Sequence, residues 1–333
     1  MIAKARGNLR QRARAVLQPR GRGLVERRDL KKLASTFGGI ALASVLPQRL
    51  DGALVGTLDA LGRRRPSRER TLLVEAMERT LGPSMPGRDF RPAVAEHYRM
   101  RSEISWQRTR GMRGQRMRHR IPIDGIERLR EGLEAGRGVI LWRMNFGSTM
   151  WLQAACQQAG HPAVQLSDAS HGASSYSHAG FVVLPRMYVR AENIYLRERV
   201  VIPPDRSLGY MTRLIELLEA NAVVAMRGDL PGRQPVPATL FGEPFPLATG
   251  GPSLAWRTGA ALLTAYTVRD APLRYRLIVD EPVEVDRGRP RRAAVTSAVH
   301  EFAARLEERV RRHPSNWMGW YGRLDRGGGD SRA

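Results

Sequence analysis

GRGVILWRMNFGSTMWLQAACQQAG, residues 136–160, decides the architecture. A Gly-rich entry leads into the apolar run VILW. A tight turn, RMNFGS, follows, and then an amphipathic stretch opens at Thr149. That order reads as a buried strand, a turn and a helix start. In an α/β enzyme the turn after such a strand holds the working residues. Here it offers Asn145 and Ser148, with Met150 just beyond, and no general base.

The same alternation continues outward. IPIDGIERLREGLEAG (121–136) gives a short strand and a helix over Ile126–Glu134. Downstream we expect a helix over 150–159, a strand AVQLS, and a Ser/His-rich loop at 167–180. The charges of ENIYLRER (192–199) read as a solvated face. After the strand VVIPP come a helix over Leu208–Asn221, the strand AVVAM and the loop RGDLPGRQP. The chain then gives an edge strand pair around 275–285 and a helix over Ala293–Arg312. The fold class is therefore α/β, a mainly parallel sheet flanked by helices. Upstream, residues 33–62 read as two helices broken near Pro47, followed by helices over Thr71–Leu81 and Phe90–Arg110. The expected organisation is a basic arm and helical region over 1–80, an α/β domain over 81–325 and a disordered tail over 326–333.

Charge narrows the partners. The chain has 333 residues, 55 of them Lys or Arg against 32 Asp or Glu, and a net charge of +23. An excess of that size favours an anionic partner: a phospholipid surface, nucleic acid or an acidic carrier protein. Aromatic residues are only 6% and no nucleic-acid motif is present, so nucleic acid ranks last. The run RTRGMRGQRMRHR (108–120) reads either as a solvated loop or as an anion-docking patch. One cysteine, Cys156, excludes an internal disulfide framework and fits a reducing cytoplasm. Its place on the helix after the turn is core-facing, with an acyl-cysteine as the rival reading. The run Leu33–Leu46 is shorter than the roughly 20 residues a spanning helix needs, which leaves peripheral contact at the inner face of the membrane open. No Cys/His spacing suits a metal, and no nucleotide phosphate loop or other cofactor motif is present.

Four stretches in order carry a family likeness: GIERLREGLEAGRGVILWRMNFGS (125–148), LIELLEANAVVAMRGD (214–229), ATLFGEPFPLATGGPSLAWRTGA (238–260) and PSNWMGWYGRL (314–324). Over about residues 90–325 the chain resembles the late acyltransferases of lipid A biosynthesis and the wider glycerolipid acyltransferase-like group. The resemblance implies an α/β acyltransferase fold and a membrane-touching helical N-terminus. It also implies transfer of an acyl chain from a carrier-protein or coenzyme A thioester to a hydroxyl. The family's His-x-x-x-x-Asp/Glu motif supplies the base and the carboxylate that orients it. Here the two positions fall on Asn145 and Met150, while Gly147 between them is kept. Asn takes no proton, and Met orients nothing.

Candidate catalytic residues are therefore Asn145 as a carbonyl or oxyanion donor, Asp229 at the family's second acidic position, and His171 and His178 as replacement bases. Arg227 beside Asp229 argues against basicity there. It suits bidentate capture of phosphate, sulfate or carboxylate. Ser148, Thr249, Gly250 and Arg257 complete the expected substrate site, with Thr249 and Gly250 at a helix N-terminus that can receive an anion. Three functions stay open besides nucleic-acid binding. The first is acyl or aminoacyl transfer to an amine or alcohol with a displaced base. The second is other chemistry on a carrier-bound substrate, such as aza-ring closure with loss of sulfate or phosphate. The third is a non-catalytic subunit completing a partner's site.

Overall fold

The computed structural model describes residues 27–63, 67–168, 178–203, 207–232 and 235–324. Helices α1 (Arg27–Val45), α2 (Asp51–Arg63), α3 (Arg68–Leu81) and α4 (Arg91–Met112) precede the sheet. Then come β1 (Ile123–Asp124), α5 (Ile126–Glu134), β2 (Val139–Arg143), α6 (Thr149–Gln158), β3 (Val164–Asp168), α7 (His178–Asn193), β4 (Glu198–Ile202), α8 (Gly209–Glu219) and β5 (Val223–Arg227). A hairpin, β6 (Val236–Leu240) and β7 (Glu243–Leu247), leads to α9 (Gly250–Thr258), β8 (Ala261–Ala271), β9 (Arg274–Pro282), α10 (Arg291–Arg312) and α11 (Tyr321–Leu324). Residues 1–26 of the expected arm, and the expected tail over 326–333, lie outside the described residues.

The seven-stranded sheet runs β1-β9-β8-β2-β5-β3-β4. β8, β2, β5, β3 and β4 are mutually parallel, and β9 pairs antiparallel with β8. β2 sits between β5 and β8, so its five residues are buried on both faces, which is why VILWR reads as a continuous run. Alternation divides it. Val139 and Leu141 join the core under α5 and α6, whereas Ile140, Trp142 and Met144 join the core under α8, α9 and α10. Trp142 lies 4.2 Å, centroid to centroid, from Phe302 of α10. The backbone opposite it must be glycine: a Cβ on Gly228 would stand 2.4 Å from the Trp142 indole nitrogen.

Several expectations need correction. The strand pair near 275–285 is no edge: β9 has β1 outside it, and β8 is a central strand of eleven residues. The β6–β7 hairpin and most of α7 were not expected. ENIYLRER is solvated only in part: Arg197 is exposed, but Glu192 and Arg199 form a 2.8 Å ion pair with both side chains buried, and Tyr195 is buried as well. The run 108–120 is helical as far as Met112. Its Arg110 is buried, donating to Asp51 and to the carbonyls of Ala43 and Leu46. Among the described residues no helix is long and apolar enough to cross a membrane. Phe37, Val45, Leu58 and Leu61 of α1 and α2 are exposed.

α4 is locked to the sheet through Glu103, whose buried carboxylate accepts both Nε (2.9 Å) and Nη2 (2.7 Å) of Arg269 and the Tyr275 hydroxyl (2.7 Å). Removing one partner of a buried pair costs far more than the pair's net worth. We expect Glu103→Ala to lower unfolding free energy by about 3–5 kcal/mol in a urea titration. A loss under 1 kcal/mol would mean that α4 is held by apolar contacts instead.

Candidate functional site

The turn after β2 is clamped from three directions. The Met144 amide donates to the Ala265 carbonyl (2.9 Å) on β8, and the Thr267 hydroxyl donates to the Phe146 carbonyl (2.8 Å). The Gly147 amide donates to the Asn316 carbonyl (2.8 Å), and the Met318 amide donates to the Asn145 carbonyl (2.8 Å). The Asn145 amide donates to Oδ2 of Asp229 (3.2 Å). Gly147 has φ +55°, and a Cβ there would stand 2.5 Å from the Trp151 ring, so only glycine fits. The Ser148 hydroxyl caps α6 by accepting from the Met150 amide (3.3 Å). From Leu141 to Ser148, Asn145 alone is not buried. The turn is thus a rigid platform that presents one carboxamide.

Asp229 is an anchor. It is 4% exposed, and both oxygens are engaged: Oδ2 by the Asn145 amide and Oδ1 by Nε of Arg227 at 2.6 Å. Each carboxylate oxygen thus already accepts one hydrogen bond, and the group is sealed from solvent. His171 lies outside the described residues, as does the side chain of His178, whose backbone opens α7.

One charged group was missed. Arg143 ends β2 and stands in register with Arg227, which ends β5, so the two project from the same face of neighbouring parallel strands. The Arg143 residue is 8% exposed, and its Nε has no hydrogen-bond partner. Burial, and then the charge of Arg227, lower its pKa to about 10, while Asp229 and Glu192 oppose that shift. It remains a cation at neutral pH. The signal was present in VILWR and VVAMR, two apolar strands each closed by arginine.

The remaining expected residues divide by position. Thr249 and Gly250 begin α9 on the other face of the sheet, against Trp142 and Met226: a Cβ on Gly250 would meet Met226 at 3.1 Å, and one on Gly251 would meet Trp142 at 3.1 Å. Arg257 does not join the site. It lies exposed at the far end of α9, just before β8 pairs with the first residue of β2. Met150 is buried in the core under α6. Cys156 is buried as well, and burial pushes its thiol up to about 12. Among the described residues no group of His, Cys, Asp and Glu is placed to hold a metal ion.

Comparison with family models found no match, and comparison with curated proteins found none either.

Two outcomes follow from these positions. Asp229→Asn should keep the bond to the Asn145 amide and a measurable part of any activity, whereas Asp229→Ala should cost about 1–3 kcal/mol of stability by leaving that amide unpaired. Equal and complete inactivation of two stably folded variants would restore Asp229 as a base. For Cys156, a pKa of about 12 leaves roughly one thiolate in a thousand at pH 9. Iodoacetamide should therefore leave the native chain unmodified at pH 9 and label it only in denaturant. Because the folded thiol holds its proton more tightly than the unfolded one, its contribution to stability is complete below pH 9 and is lost as pH rises towards 12.

Proposed function

We propose that the chain is a divergent acyltransferase-like enzyme of the group it resembles. It holds an acyl or aminoacyl chain, carried as a thioester on a carrier protein or coenzyme A, at the carboxyl ends of β2 and β5, and passes it to an amine. The observation that carries this reading is the clamped turn, which keeps an enzyme's platform while presenting the Asn145 carboxamide where a base would stand. A neutral amine needs no base to attack. Its lone pair forms the C–N bond, the thioester carbon–sulfur bond breaks, and the thiolate leaves. The extra proton on nitrogen passes to the thiolate or to water. The Asn145 amide group donates to the carbonyl oxygen as charge develops there, a role worth about 10²–10³ in rate at comparable sites. An alcohol would need deprotonation, which the committed Asp229 does not provide.

The arginines favour a second reading, chemistry on the tethered chain other than acyl transfer. There a substrate amine closes on a carbon bearing sulfate or phosphate, and Arg143 and Arg227 receive the departing anion. In either reading the protein works in the cytoplasm. The exposed apolar side chains of α1 and α2 and the net charge of +23 support peripheral contact with anionic lipid or a partner subunit.

Intact-mass spectrometry of acyl- and aminoacyl-carrier proteins tests both readings. Discharge of the carrier that requires an added amine, is not supported by an alcohol, and falls about 10²-fold in Asn145→Ala supports transfer. Loss of a sulfate- or phosphate-sized mass with the thioester intact supports the second reading. No change with any carrier sinks both and leaves the non-catalytic subunit.

A further inference from the structure

We infer that Arg143 and Arg227 form a built oxyanion subsite, and that the substrate of this chain carries a carboxylate, phosphate or sulfate seated between them. The inference rests on the carboxyl ends of β2 and β5 being the substrate site, and it holds whichever bond is made or broken there.

The argument begins with how the chain treats its other buried guanidinium groups. Arg110 donates to Asp51 at 2.6 Å and to two backbone carbonyls. Arg269 forks onto Glu103 and reaches Glu96 as well. Arg199 pairs with Glu192 and donates to the Ser167 hydroxyl. Each buried cation has an anion and fitted acceptors, as the cost of desolvating a charge requires. Arg143 is the exception. Its side chain makes no ion pair or hydrogen bond to any described residue, although the residue is more than nine-tenths buried.

The carboxylates nearest to it are already committed. Asp229 accepts from Arg227 and from the Asn145 amide, and Glu192 is taken by Arg199. Arg143 also faces a like charge one strand away. Strand neighbours lie about 4.8 Å apart, so two arginines in register on one face repel, and Asp229, hydrogen-bonded to Arg227, leaves Arg143 with no anion in contact. Arg227 is the accessible member, with its side chain 36% exposed, and Arg143 is the recessed one. One guanidinium is thus reachable from solvent and the other is buried. Two planar donor forks suit an oxyanion better than a point charge would.

A second buried polar atom without a partner lies on the same face. Gln153 of α6 is fully buried and donates to Oε1 of Gln165 on β3 (3.4 Å), while its own Oε1 accepts from nothing. Gln165 is in register with Ala225, two residues before Arg227. The sheet therefore sets aside a polar strip beneath α6 in an otherwise apolar core.

Calorimetric titration of the full chain with sodium sulfate, sodium phosphate and sodium acetate, at matched ionic strength, tests the inference. We expect saturable one-to-one binding of at least one of the three. Arg143→Gln and Arg227→Gln should each weaken it at least tenfold, while Arg130→Gln, an exposed and charge-matched control on α5, should leave it unchanged. Preference for sulfate or phosphate would point to a tetrahedral anion on the substrate, and preference for acetate to an acid group. Should Arg143→Gln fail to fold, the half-exposed Arg227→Gln carries the test. Absence of a saturable site, or equal binding in all variants, overturns the inference. Arginine-dependent binding without discharge of any carrier upholds it and sinks acyl transfer. Discharge without a saturable anion site does the reverse.

Discussion

One carboxylate decides what the site can do. Asp229 reaches from the end of β5 to the backbone of the turn after β2, and it neutralises Arg227 at the same time. With that bond in place, the turn holds a fixed course between β5, β8 and the C-terminal segment. The side chain at 145 then projects from a backbone held on both sides. The same bond leaves Asp229 buried with both oxygens engaged, so the groups left facing outward at the ends of β2 and β5 are a carboxamide and the Arg227 guanidinium.

The strand–turn–helix unit and most of the parallel sheet were legible because glycine and apolar runs punctuate them. β8 and β9 were not. Their connection, Ala271–Arg274, has no glycine and turns on Leu273 at φ 56°, a position where sequence gives no warning. The β6–β7 hairpin hid behind Pro237, Pro244 and Pro246, which argue against a strand. A two-stranded ribbon outside the main sheet tolerates them, since its free edges need no donors. Its turn uses Phe241 and Gly242, both at positive φ, in place of the Asn-Gly pair that announces such turns.

At the site, the sequence order located both loops but misjudged the charges. Composition treats all 55 basic residues alike. Only packing separates Arg110 and Arg269, whose partners come from distant helices and strands, from Arg143, which has none. Arg257 seemed close because the α9 segment begins near the site, yet a helix of nine residues carries its last turn about 12 Å away. Ser148 and Met150 turned out to serve α6 itself, as cap and as core.

The C-terminal segment gives the site an unusual place in the order of synthesis. Asn316 and Met318 grip the backbone of Gly147 and Asn145 across nearly the whole α/β domain. Contacts of such long separation form late in folding. A chain still on the ribosome can build β2, α6 and the neighbouring strands, but the turn between β2 and α6 stays ungripped until residues 316–318 have emerged. The course of that turn is thereby set by residues made about 170 positions after it, and a chain cut before them would carry the sheet with the turn unheld.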